Sequence, residues 1–222
     1  VVSFSVTGTS GANSDTDSVT INLLICVARG TKIETINGPK RVELLEQGDF
    51  VVTMDGPPQQ VRWVGSRKVS SAEIAADPSL RPIRFSVDAL GPGRPSQPLV
   101  VSPQHRVYLQ DWRAQLMFGE DQVLVPAKSL VNDNTIRRDH DCNGVEYFHV
   151  LFDEHQIVVS NGAFSESFFP GPVALGTLAS ETRQEVMDLF PDLRSPAPCT
   201  FQQTARMCLA KKEATMLQKI AA

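Results

Sequence analysis

The sequence predicts an all-β domain of short strands followed by a helical tail. Three observations predict it. Short apolar runs rich in Val, Ile, Leu and Phe recur from Cys26 to Phe169, bounded by Gly, Pro, Asn, Asp or Ser. Asn37-Gly38 and Asn161-Gly162 mark turns, and Asn-Gly is a strong hairpin signal because both central residues of a type I′ turn need positive φ. Beyond Phe169-Pro170-Gly171 the apolar residues shift to helical spacing.

At the N-terminus, Val2, Phe4 and Val6 alternate with Ser3, Ser5 and Thr7, as in a half-buried strand. A polar turn from Gly8 to Ser18 leads to a second strand, Val19 to Ile25. A hairpin of this size cannot bury a core alone. Residues 1–25 are therefore expected to be an N-terminal flank, the end of an upstream β-sandwich-like module. Asp15 and Asp17 could touch calcium there, but a solvated turn explains them more simply.

Between residues 26 and 110 the expected strands are Phe50 to Met54, Gln60 to Val64, Ile83 to Val87, Leu99 to Val101 and Val107 to Leu109. One short helix is expected at Ser71–Ala76, ending before Asp77-Pro78, because the residue before proline avoids the α region. From 111 to 170 further strands are expected at Gln122–Val125, Tyr147–Phe152 and Ile157–Val159. In the tail, Ser180 is a good N-cap for a helix through Val186, Leu189 and Phe190, which Pro191 stops. A second helix is expected from about Gln203 to Ile220, where Leu209, Ala210, Met216, Leu217 and Ile220 share a stripe and Lys211, Lys212 and Lys219 face solvent. These helices should pack on the β-domain or on a partner.

Composition narrows the function classes. The 222 residues suffice for one sizeable domain with appendages. A net charge of −4 leaves no basic footprint, so nucleic acid is not an expected partner. No apolar run approaches the roughly 20 residues needed to cross a bilayer, so no membrane span is expected. No signal peptide is visible. Localisation stays open, a secreted or cell-surface place within a larger bacterial polypeptide being one expectation. The four cysteines, Cys26, Cys142, Cys199 and Cys208, form no Cys-x-x-Cys pair, which argues against a zinc ribbon or a thioredoxin-type motif. His140-Asp141-Cys142 carries ligating atoms, but three adjacent residues rarely converge on one ion, so no metal and no cofactor is expected.

Three blocks carry chemistry. The first runs from Leu23 to Thr53 and holds Cys26, Gly30-Thr31, Gly38-Pro39, Val42, Leu45, Gly48-Asp49 and Val51. The second is Val100-Val-Ser-Pro-Gln-His105-Arg-Val. The third is Leu151-Phe-Asp-Glu-His155-Gln-Ile-Val-Val-Ser-Asn-Gly162, continuing to Glu166-Ser167. Cys26 by itself is what a buried structural cysteine looks like, and His105 what a structural histidine looks like. Their order within the blocks resembles the Hint (Hedgehog/intein) superfamily of self-processing domains, nearest to its bacterial intein-like group, over about Cys26 to Gly171. The resemblance implies a horseshoe-like all-β domain over 26–171 and leaves 172–222 as a helical C-terminal extension.

It also implies a mechanism. Cys26 attacks the bond before it, Ile25-Cys26, turning an amide into a thioester by an N–S acyl shift. His105 serves as the acid for the departing amine, since a histidine pKa lies near working pH. Ser102, in a slot usually held by threonine, orients the His105 ring or the scissile amide. His155 assists by polarising the Ile25 carbonyl or activating water, with Asp153 orienting it. The substrate is the chain's own N-terminal flank, and the acceptor is water, an external thiol or an external amine. Glu166-Ser167 stands where splicing members carry His-Asn, so full splicing is not expected. Phe148 stands where an aspartate is usual. His149, Trp63 and Trp112 are expected to be packing residues. Two rivals remain: an inert scaffold of the same fold, and a cysteine hydrolase acting in trans.

Overall fold

A computed structural model describes residues 2–10, 13–21, 25–169, 180–190 and 203–219. The chain opens with the antiparallel pair β1 (Val2–Ser10) and β2 (Asn13–Ile21), in register from Val2–Ile21 to Ser10–Asn13. Short strands follow: β3 (Val27–Ala28), β4 (Lys32–Thr35), β5 (Gly38–Arg41), β6 (Phe50–Val51), β7 (Gln59–Gln60) and the longer β8 (Trp63–Ser70). Helix α1 (Ser71–Ala76) comes next, then β9 (Ile83–Phe85), β10 (Leu99–Val101) and β11 (Arg106–Gln110). After α2 (Trp112–Phe118) come β12 (Gln122–Pro126), β13 (Ile136–Arg138), β14 (Gly144–Leu151), β15 (Ile157–Ser160) and β16 (Ala163–Glu166). The tail holds α3 (Ser180–Leu189), β17 (Met207–Cys208) and α4 (Lys211–Lys219).

Two curled sheets organise these strands. One runs β13-β9-β10-β3-β14-β8; the other runs β17-β12-β11-β16-β15-β4-β6-β7, with β5 beside β4. Their shared core draws Val27, Phe85, Leu99, Val101, Val107, Val125, Phe148 and Phe152 from both sheets. Leu209, Ala214 and Leu217 of the tail enter the same core, so this part of the tail packs on the β-domain; of the expected stripe, Ala210 and Met216 are exposed instead and Ile220 lies outside the described residues.

Most expected elements fall where their signals lie. Helix α1 carries a full capping box, with Ser70 and Glu73 satisfying each other's backbone N–H. Several details differ. The expected turn from Gly8 to Ser18 narrows, because β1 runs to Ser10 and β2 already starts at Asn13. The expected strand Gln60 to Val64 is divided between β7 and β8. The β4–β5 hairpin turns through Ile36-Asn37, because Thr35 pairs with Gly38, and in this turn Gly38 (φ +94°) rather than Asn37 takes the left-handed conformation, so it is not the type I′ turn expected. Helix α2 was not expected, although Asp111, whose side chain accepts from the Arg113 N–H, and Gly119 at φ 82° are its two caps. Its Trp112 is 70% exposed and is not a packing residue. In the tail, Ser180 is the first helical residue rather than the cap, and the second expected helix shortens to α4 because Met207-Cys208 pairs in parallel with β12.

Candidate active site

The site forms where β3, β14 and the turn after β10 meet. Val27 pairs with Val101 on one side and with Phe148 on the other, while Ala28 pairs with Tyr147. Extending that antiparallel register by one residue sets Cys26 beside His149 and Ser102. Cys26 is buried, at 1% exposure, so its backbone groups need internal partners. Ser102 supplies both: its N–H donates to the Cys26 carbonyl at 3.0 Å, and its Oγ accepts from the Cys26 N–H at 3.1 Å. The hydroxyl thus holds the nitrogen of the Ile25-Cys26 bond.

His149 holds the other side of that bond. Its Nδ1 lies 2.9 Å from the Ile25 carbonyl oxygen, and a carbonyl only accepts, so Nδ1 carries the proton and donates. The Cys26 Sγ lies 3.3 Å from Nε2 and 3.5 Å from Nδ1. A sulfur nearly equidistant from both ring nitrogens cannot lie in the ring plane without colliding with the carbon between them, so the thiol sits over the ring's face. Trp63 stacks near the ring (centroids 6.3 Å apart, 28° between planes) and Phe168 meets it edge-on at 4.8 Å. His149 was expected to be core. It is buried in a strand, but it touches both the thiol and the carbonyl. The signal that could have found it is its position next to Phe148: strand neighbours face opposite sides, so Phe148 joins the core while His149 faces Cys26.

His105 sits three residues beyond Ser102, on a turn closed by its own N–H donating to the Ser102 carbonyl at 3.1 Å. Its ring is buried, and among the described residues neither ring nitrogen has a hydrogen-bond partner.

His155 and Asp153 lie in different company. The His155 Nδ1 accepts from the Ala205 N–H of the tail at 3.0 Å, which places the ring proton on Nε2, 3.5 Å from a Glu166 oxygen. Glu166 is fully buried and also accepts from the Arg106 N–H at 2.8 Å and from its guanidinium at 3.2 Å. Asp153 turns to the surface and takes a forked bond from Arg62 at 2.7 to 2.9 Å. The described contacts of His155 and Asp153 include neither Cys26 nor Ile25. Glu166, rather than Asp153, is the carboxylate facing the His155 ring. Ser167 exchanges bonds with Gln156, its N–H donating at 2.8 Å and its Oγ accepting at 3.0 Å.

Burial sets the protonation states. It pushes the Cys26 thiol well up, against a Ser102 hydrogen bond and the Arg67 charge. Burial pulls His105 down to about 4, although the Glu166 charge opposes it. Burial also pulls His149 down to about 4, against its bond to the Ile25 carbonyl. Burial alone would raise Glu166, but His155, Arg106 and His105 outweigh it and hold the carboxyl below its ordinary value. At neutral pH the site therefore holds a thiol and two neutral imidazoles.

The architecture has known relatives. A bacterial intein-like domain from Clostridium thermocellum aligns over 65% of this chain and 99% of its own, at 12% identity and a TM-score of 0.41. The MchDnaB-1 intein aligns over 64% and 99%, at 13% identity and a TM-score of 0.40, and the gp41-1 intein over 63% and 96%, at 10% and 0.38. No curated protein matches the chain. The family model described as the Hint domain matches residues 25–172, a span that starts at the residue before Cys26 and covers two-thirds of the sequence, and the chain belongs to that family.

Proposed function

We propose that this chain is a self-processing domain that cleaves its own Ile25-Cys26 peptide bond through an N–S acyl shift. One observation carries the reading: three side chains bracket a single peptide bond. Ser102 holds its nitrogen, His149 holds its carbonyl oxygen, and the Cys26 thiol lies against the same imidazole.

The step follows from that arrangement. The Cys26 Sγ adds to the Ile25 carbonyl carbon, and the oxygen takes up negative charge against the His149 Nδ1–H. The C–N bond then breaks. The Cys26 nitrogen leaves as an amine, gaining the proton that the thiol gave up, and Ile25 becomes a thioester on Cys26. Water, a thiol or an amine attacks that thioester, regenerates the thiol and takes residues 1–25. An amine on another molecule would make the domain a ligase for its upstream segment. His105 is the acid for the departing nitrogen, next to the hydroxyl that already holds it. With a pKa of about 4 it is protonated in roughly one molecule in a thousand at pH 7, so the shift is slow. A β-branched Ile25 crowds the carbonyl and slows it further.

Splicing finds no support here, since Glu166 and Ser167 are buried and engaged with Arg106 and Gln156. Burial of Cys26 also disfavours a hydrolase acting in trans. The inert-scaffold reading draws its support from the raised thiol and the neutral imidazoles. Intact-mass spectrometry over days at neutral pH, with and without added thiol and beside a Cys26→Ala control, separates the two. A product ending at Ile25, faster with thiol and absent from the control, is expected. Persistence of the full-length mass under every condition would leave the scaffold.

A further inference from the structure

The residue that would leave as the acyl group is itself recognised. The Ile25 side chain belongs to one buried apolar cluster with Trp63, Leu151, Phe168 and Val186, and is 8% exposed. These come from β8, β14, the stretch after β16, and α3 in the tail. Phe169, Met187 and Phe190 pack around the same cluster. A residue awaiting removal has no structural need for a four-sided apolar enclosure.

The enclosure is joined to the reacting atoms. Trp63 and Phe168, which share that cluster with Ile25, also brace the His149 ring, whose Nδ1 holds the Ile25 oxygen. Local sequence explains how. Gly65 lies directly across from His149 in the β8–β14 ladder. Residues 63 and 65 share a face, and a Cβ on Gly65 would fall 2.0 Å from the Trp63 ring. The indole thus lies in the space that glycine leaves.

We infer that Trp63, Leu151, Phe168 and Val186 form an acyl-side specificity pocket, selective for a branched aliphatic residue before Cys26, whose occupation holds His149 on the scissile carbonyl. The inference rests on the cleavage reading above. It also gives the tail a function: Val186 supplies a wall of the pocket from outside the span that the family model matches.

The test is a thiol-induced cleavage series followed by intact mass, comparing the unaltered chain with Ile25→Ala, Val186→Ala and the double variant, each beside its Cys26→Ala control. Relief of crowding alone predicts that Ile25→Ala speeds cleavage. The pocket predicts the opposite sign, a slowing of about tenfold, the discrimination that a few methylenes in an apolar pocket deliver. Val186→Ala should slow the Ile25 chain by about fivefold, while the double variant reacts no slower than Ile25→Ala alone. Thermal unfolding of the Cys26→Ala controls shows that each variant is folded. Cleavage of Ile25→Ala as fast as or faster than the unaltered chain, or equal slowing by Val186→Ala on both backgrounds, overturns the pocket alone. Absence of Cys26-dependent product from every chain overturns the cleavage reading and the pocket with it.

Discussion

Replacing His149 by phenylalanine tests the site most directly. Phenylalanine keeps a planar ring between Trp63 and Phe168, both within 6.3 Å of the present imidazole, and removes the Nδ1–H that lies 2.9 Å from the Ile25 oxygen. The donor is neutral, because burial pulls His149 down to about 4. Its loss should therefore resemble the loss of one neutral oxyanion donor, about 10²–10³ in rate, equivalent to about 3–4 kcal/mol of transition-state stabilisation. The folded state loses less, about 1–3 kcal/mol, the cost of leaving one buried carbonyl without its donor. The assay is single-turnover cleavage by intact mass with excess thiol, beside urea unfolding of the same substitution in a Cys26→Ala chain. Rate and stability should separate, with a large loss in the first and a modest one in the second. A His149→Phe chain that cleaves within about threefold of the parent would refute the assignment, since a true oxyanion donor is worth far more.

Further outcomes follow from the same contacts. The cleavage rate should be nearly flat between about pH 7 and 9, because the thiolate fraction of the raised thiol grows about tenfold per unit while the protonated fraction of His105 falls by the same factor; a tenfold rise per unit would remove His105 as the acid. Stability should hold steady between about pH 6.5 and 8, fall by a few kcal/mol toward pH 4, and fall again above about pH 8.5, where the buried Cys26 thiol resists ionisation that the unfolded chain allows. His105 and His149 are lowered to about 4 on folding, so the unfolded chain binds more protons in the acidic window, and His105→Gln should flatten part of that slope in urea midpoints. Glu166→Gln should destabilise by about 3 kcal/mol in thermal unfolding, because it leaves the Arg106 guanidinium without its buried counter-charge. Asp153→Asn should change stability by less than about 1 kcal/mol, as its partner Arg62 is at the surface, and should leave cleavage unaltered; a loss of cleavage on the order of tenfold would restore Asp153 to the site.

The sequence by itself determined the features whose causes are local. Asn161-Gly162 makes a turn because both residues take positive φ there, and Ser70 with Glu73 starts α1 by a contact three residues long. The block order placed Cys26, Ser102 and His105, and the turn that brings His105 back to Ser102 spans four residues. Tertiary structure decided what depends on distant pairing. That His149 faces the Ile25 carbonyl follows from the register of β3 against β14, which joins residues 123 positions apart for Cys26 and His149. A shift of one residue would turn Phe148 or Val150 toward Cys26 in its place, and nothing within the strand fixes that choice. Asp153 pairs with Arg62 across 91 residues, and His155 is held by Ala205 of the tail. The tail shows the same limit. Its helices were legible because helical periodicity is local, but that Ala214 rather than Met216 turns inward, that β17 extends a sheet and that Val186 shares a cluster with Ile25 became visible only once the chain had folded.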